Sequence, residues 1–138
     1  MPFHDITRIA GSAMTAQTVR LNTVASNLAN AESVSSDPAT AYKARHPVFQ
    51  ATLDGSGNGG AGPGVAVRGI VESQAPAAKR YDPASPLADS NGYVYAPNVN
   101  TVEEMVDMIS ASRSYQNNVE VMNTARNLML ATLKLGQG

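Results

Sequence analysis

Residues 101–135 read TVEEMVDMISASRSYQNNVEVMNTARNLMLATLKL, and the spacing of their apolar side chains decides the architecture. Val102, Met105, Ile109, Ser112, Tyr115, Val119, Met122, Met129 and Leu133 recur at three- and four-residue steps, which is a seam of the coiled-coil kind. Thr101-Val-Glu-Glu104 fits a capping box, in which the Thr hydroxyl and the Glu carboxylate satisfy orphan backbone N–H groups. Glu103, Glu104 and Asp107 then lie at the positive end of the helix dipole and Lys134 in the last turn, with Gly136 available for a left-handed stop. The pattern predicts one helix of about 50 Å at 1.5 Å per residue.

The other end of the chain carries a matching signal. Ile6, Ala10, Met14, Leu21, Val24, Leu28 and Ala31 fall close to a 3.5 to 3.6 period, with Pro confined to position 2, so a second long amphipathic helix is expected over residues 6–31. Apart from Arg8 and Arg20 its polar face holds Thr15, Gln17, Thr18, Asn22, Thr23, Ser26, Asn27 and Asn30, where a solvated face normally carries Lys and Glu. Such a face is suited to meeting other protein.

Between these helices, residues 32–100 hold all but one of the eight Pro and most of the eleven Gly. Runs rich in strand formers occur at Tyr42 to Leu53, Val65 to Ser73 and Gly92 to Tyr95, which predicts a small β-rich insert. Within it, residues 54–64 (DGSGNGGAGPG) read as a flexible Gly loop, and Asn91-Gly92 as a tight hairpin turn. The expected fold is therefore α+β. Long N- and C-terminal helices, 1–31 and 101–138, pair as a coiled-coil-like hairpin, with the β-rich domain 32–100 inserted between them. Seams this long cannot be shielded by so small an insert, so the helices should pair with each other and then with neighbouring subunits.

Composition removes several function classes. Ten basic and eleven acidic residues give a net charge of -1, with no electrostatic footprint for nucleic acid. Zero Cys excludes disulfides, thiolate metal sites and a thiol nucleophile. No Trp and only two Phe leave Ala, Val, Leu, Ile and Met to make up most of the 43% hydrophobic content, which suits helix packing better than a thick globular core. The first twenty residues lack the basic and apolar regions of a secretory signal, and no run of about twenty apolar residues predicts a membrane span. Composition alone reads as a soluble cytoplasmic chain.

Little in the sequence carries catalytic chemistry. Gly55-x-Gly57-x-x-Gly60 has dinucleotide-motif spacing, but a β-prone stretch follows where that fold needs a helix N-terminus, so it reads as loop. His4 and His46 have no partner at metal-site spacing, and Glu103 with Asp107 is explained by the helix start. No cofactor, metal or small-molecule substrate is expected. Met105, Met108, Met122 and Met129 read as packing material. Arg113, flanked by Ser112, Ser114, Tyr115 and Gln116, interrupts the seam; it either registers the helix against a partner or is ordinary helix surface.

Two ends of the chain resemble the axial proteins of the bacterial flagellum, the rod and hook subunits, with the proximal rod nearest. Ser26-Asn27-Leu28-Ala29-Asn30-Ala31 is similar to the Ser-Asn-Leu-Ala-Asn signature of that family. Ser112-Arg113-Ser114-Tyr115-Gln116, Asn118 to Asn123, Leu128-Met129-Leu130 and Leu135-Gly136-Gln137 match at the other end. Tyr81-Asp82-Pro83, Pro86 to Asp89, Gly92-Tyr93-Val94 and Pro97 to Asn100 extend the likeness through the insert. Two departures are Ala41-Tyr42, where Gly-Tyr is usual after a shorter spacer, and Asn117 in place of Ala.

The resemblance implies a non-enzymatic structural subunit of the rod, the drive shaft around the export channel. Its implied partners are itself and other rod proteins, the adaptor joining rod to inner-membrane ring, and the type III export apparatus. It also implies periplasmic assembly without a cleaved signal. The implied subunit contacts are Met14, Leu21, Val24, Asn27, Leu28 and Asn30 on the first helix. On the second they are Met105, Ile109, Ser112, Arg113, Tyr115, Gln116, Val119, Met122, Met129 and Leu133. A secreted coiled-coil effector or chaperone-like binder is the rival, since it too would show amphipathic ends; an enzyme would need a convergent set of titratable groups.

Overall fold

The computed structural model describes residues 2–52 and 63–136; the Gly-rich stretch 54–62, with Gly55, Gly57 and Gly60, lies outside them. The chain is α+β, as the periodicity implies. Helix α1 spans Pro2–Asn30 and helix α2 spans Thr101–Leu135. Between them lie β1 (Arg45–Thr52), β2 (Gly64–Glu72), β3 (Ala78–Tyr81) and β4 (Tyr93–Ala96).

The hydroxyl-rich face of α1 satisfies its own donors. Thr15, Thr18 and Thr23 donate to the carbonyls of Gly11, Met14 and Val19 one turn back, and Asn30 Nδ2 donates to Ser26 O. Side chains bonded in this way can be covered by another surface without leaving orphan donors, which a Lys- or Glu-rich face could not offer.

β1 and β2 form an antiparallel ribbon, with Arg45 opposite Glu72, Thr52 opposite Gly64, and a register slip at Val48/Phe49. The ribbon lies along α1. It is pinned near its far end, where Val65 N donates to Ser12 Oγ at 3.0 Å, and a Cβ on Gly64 would come within 2.8 Å of that oxygen. β3 and β4 form a second antiparallel ribbon, and an isolated bridge joins Ser35 to Tyr95 on the other side of β4. Asn98 ties the two halves of the insert: its Oδ1 accepts from Ala44 N and its Nδ2 donates to Ala75 O, each at 2.7 Å. Val94 is fully buried and Ala41 and Ala44 nearly so, giving the insert a small core.

Three local expectations are corrected. The cap of α2 is Asn100, whose side-chain oxygen accepts from Val102 N and Glu103 N, and Thr101 is already helical. Gly136 is right-handed (φ -80, ψ -9), so α2 ends without a left-handed stop. Asn91-Gly92 closes a turn, with Gly92 N donating to Asp89 O and φ at 82, but that turn ends a loop over residues 82–92 and does not join two strands directly. The strand β3, whose residues are all exposed, was hidden by its basic composition, AKRY.

Candidate assembly interface

Asn27 stands where three segments meet. Its Nδ2 donates to Arg45 O at 2.8 Å, and its Oδ1 accepts from Arg45 N at 2.9 Å, so one side-chain amide pairs with both backbone groups at the start of β1. The same Oδ1 accepts from the Tyr42 hydroxyl at 2.9 Å, and Nδ2 also donates to Glu104 Oε1 at 2.9 Å. Both Asn27 and Glu104 are buried. The signature residue thus locks α1 to the insert and to the first turn of α2. Glu104 Oε2 is buried without a hydrogen-bond partner among the described residues.

The helices run antiparallel. Arg20 pairs with Asp107 at 2.8 Å, and Phe3 and Ile6 share a groove with Val121, Ala125 and Leu128. In this register α1 begins opposite Leu128, so roughly the last two turns of α2 reach past it. Among the described elements α2 packs against α1 alone. Its buried residues are Glu104, Ala111 and Ala125, spaced by seven and fourteen, with half-buried Asn118 completing the row. On α1 the buried set is Ala10, Ala16, Thr23, Val24 and Asn27. Small side chains allow close approach of the helices.

Several of the larger apolar residues of α2 face elsewhere. Val102, Met105 and Ile109 are 68%, 56% and 58% exposed, and Val106 lies beside them. At the far end Leu130, Leu133 and Leu135 are exposed too. The expected subunit contacts fall into three groups. Val24 and Asn27 are buried inside the chain and hold its own helix pair together. Met14, Leu21, Leu28, Asn30, Ser112, Tyr115, Val119 and Met122 are half-buried. Met105, Ile109, Arg113, Gln116, Met129 and Leu133 are exposed. The row of α2 that faces α1 is Glu104, Ala111, Asn118 and Ala125. By sequence Glu104 reads as a cap and dipole residue. Its seven-residue spacing from Ala111, Asn118 and Ala125 was the available signal.

Among the described residues no group of three or more His, Asp or Glu is placed to hold a metal ion. His4 and His46 are both exposed. Asp89 is the one clearly perturbed carboxyl among the described residues. Its value is held below the ordinary range chiefly by the backbone N–H of Tyr93, with further donation from Asn91 N and the Tyr95 hydroxyl, and burial opposing. This is a turn lock in the loop before β4. No helix among the described residues is long and apolar enough to cross a membrane.

The family model described as flagella basal body rod protein matches residues 8–34, and that of the flagellar basal body rod FlgEFG protein C-terminal region matches residues 90–135. Flagellar basal-body rod protein FlgC of Escherichia coli O6:H1 is 53% identical over 137 residues, covering 99% of this chain and all of the relative. The FlgC of Salmonella typhimurium strain LT2 shows the same identity and coverage. That of Bacillus subtilis strain 168 is 35% identical over 148 residues, with 98% of each chain covered.

Proposed function

The chain belongs to the FlgC family of flagellar basal-body rod proteins, and on that premise we propose that it is a structural subunit of the proximal rod. It assembles with copies of itself and other rod proteins into the hollow shaft that transmits torque, and performs no catalysis. The observation that carries this reading is the outward strip Val102, Met105, Val106 and Ile109 on a helix whose inward face packs on α1. A helix that buries small and polar residues against its own partner and keeps four neighbouring large apolar ones exposed has that surface left for other subunits. The self-bonded hydroxyl face of α1 suits the same use. The secreted-binder reading has no observation in its favour.

In this reading residues 1–31 and 101–138 form the axial tube around an export channel, and residues 32–100 sit outside it. The subunit passes through the flagellar type III apparatus, assembles in the periplasm without signal cleavage, and meets the adaptor between rod and inner-membrane ring. The test is deletion and complementation. Cells lacking the chain should build no rod and fail to swim, and protein extracted from restored basal bodies should keep its N-terminal residues apart from the initiator Met. Motile deletion cells with intact rods would refute the role, and an intact mass lacking fifteen or more residues would refute the export route.

A further inference from the structure

The loop ahead of β4 holds an Asn-Gly pair that the rod reading does not use. Asn91 is exposed, and Gly92 after it has no side chain to shield its backbone nitrogen. In such a pair that nitrogen can attack the side-chain carbonyl carbon of the Asn, closing a five-membered succinimide ring. The side-chain nitrogen of Asn91 leaves as ammonia, and water then opens the ring at either carbonyl to give aspartate or isoaspartate. Attack requires the Gly92 N–H to give up its proton and the backbone to swing toward Cγ of Asn91.

The fold opposes both requirements. Gly92 N donates to Asp89 O at 3.0 Å, and Gly92 O accepts from Asp82 N at 2.9 Å. Asp89 Oδ1 accepts from Asn91 N at 2.8 Å and from Tyr93 N at 2.9 Å, so one carboxylate oxygen clamps the N–H groups on either side of Gly92. Its other oxygen accepts from the Tyr95 hydroxyl at 3.3 Å, which ties the clamp to β4.

We propose that Asn91 is a modification site, converted by attack of Gly92 N to aspartate and isoaspartate, and that Asp89 holds the conversion back by keeping the turn closed. The reaction then proceeds only when the loop opens, and its rate reports that opening. The isoaspartate product carries one more carbon in the main chain between residues 91 and 92, so the loop cannot keep both bonds of Gly92 in register. Conversion therefore loosens the β3–β4 ribbon in one direction only.

The test incubates the full-length chain at neutral pH, folded or in guanidinium chloride, and follows Asn91 by mass spectrometry. Trypsin places Asn91 in peptide 81–113, apart from the other Asn-Gly pair, Asn58-Gly59, in peptide 46–68. Denatured wild type should convert at Asn91, and folded wild type at least about tenfold more slowly. Folded Asp89→Ala should approach the denatured rate. Asp89→Asn, which keeps an oxygen to accept from Asn91 and Tyr93, should stay within about twofold of the wild type. Tyr95→Phe removes one bond to the carboxylate and keeps the ring, so it should raise the folded rate about threefold with unchanged circular dichroism. If Asp89→Ala does not fold, the Asp89→Asn and Tyr95→Phe rates decide. Denatured wild type that keeps Asn91 intact, or a folded rate equal to the denatured one, overturns the site. An unchanged rate in Tyr95→Phe, or Asp89→Asn converting as fast as the denatured chain, overturns the clamp.

Discussion

Asn27 shows how much one side chain can hold in a protein with so small a core. Replacing it by Ala leaves Arg45 N–H, Arg45 C=O, the Tyr42 hydroxyl and Glu104 Oε1 without this partner in a partly buried site. Unmade bonds to buried groups cost about 1–3 kcal/mol each, so Asn27→Ala should lower helix content at 222 nm and speed hydrogen exchange at the Arg45 amide. Retained protection at that amide would mean that the ribbon is anchored elsewhere. Glu104→Gln keeps an acceptor for Asn27 and should be far milder than Asn27→Ala. Asp89 gives a pH-dependent counterpart. Its carboxyl titrates below the ordinary value of 3.8 in the folded chain, so it contributes stability above that value, and the contribution is lost as pH falls through the lowered one. Thermal melts of the wild type should therefore fall more steeply below about pH 4 than those of Asp89→Asn, whose amide oxygen still accepts from Asn91 and Tyr93. Identical pH profiles for the two proteins would remove Asp89 from the account.

At the scale of elements, the loop ahead of β4 depends on Gly92. Its φ of 82 is open to Gly and strained for other residues, and an added Cβ would meet Tyr81 Cε2 at 2.9 Å and Pro83 Cβ at 3.2 Å. Gly92→Ala should destabilise the β3–β4 ribbon by about 1–3 kcal/mol and disturb the edge-on contact of Tyr81 with Tyr93, visible as shifted ring proton resonances. Unchanged spectra would show that the loop adapts at no cost. Both helices, and three of the four strands, were legible because period and turn chemistry are local properties. The failures were competitions that a local reading cannot decide. Asn100 outranks Thr101 as a cap, and Glu104, instead of reaching back to close a capping box, turns into the chain to meet a residue 77 positions away. The seam itself was visible as a period but not as a direction. Three- and four-residue steps run down both sides of α2, and the period alone does not say which side meets α1. Here α1 takes Ala111, Asn118 and Ala125, while Val102, Met105, Val106 and Ile109 remain outside.

For the whole molecule, that arrangement makes the helix pair weak by itself. Apart from Val24, the buried apolar residues of α1 and α2 are all Ala, so burial within one chain supplies little stabilisation against the conformational entropy of two long helices. The dilute monomer should accordingly show less helix by circular dichroism than the assembled form, and full helicity with protected amides over residues 105–133 in the monomer would count against ordering by assembly. The same arrangement separates folding from assembly in a way that mutation can read. Ile109 is 58% exposed in the single chain, so an aspartate there disturbs no internal contact, yet in the assembled rod it would stand in an apolar contact without a partner. That costs several kcal/mol at every subunit contact, and the cost recurs with each copy added. Ile109→Asp should therefore leave the monomer's circular dichroism unchanged and abolish swimming in a deletion strain. Removing residues 56–62, which offer only Gly, Ser, Asn and Ala side chains, should leave swimming intact. Soft-agar assays with immunoblots for protein level decide between the regions. If the Ile109 variant swims and the shortened chain does not, the contacts that build the rod are made by the insert, and the exposed strip of α2 has another use.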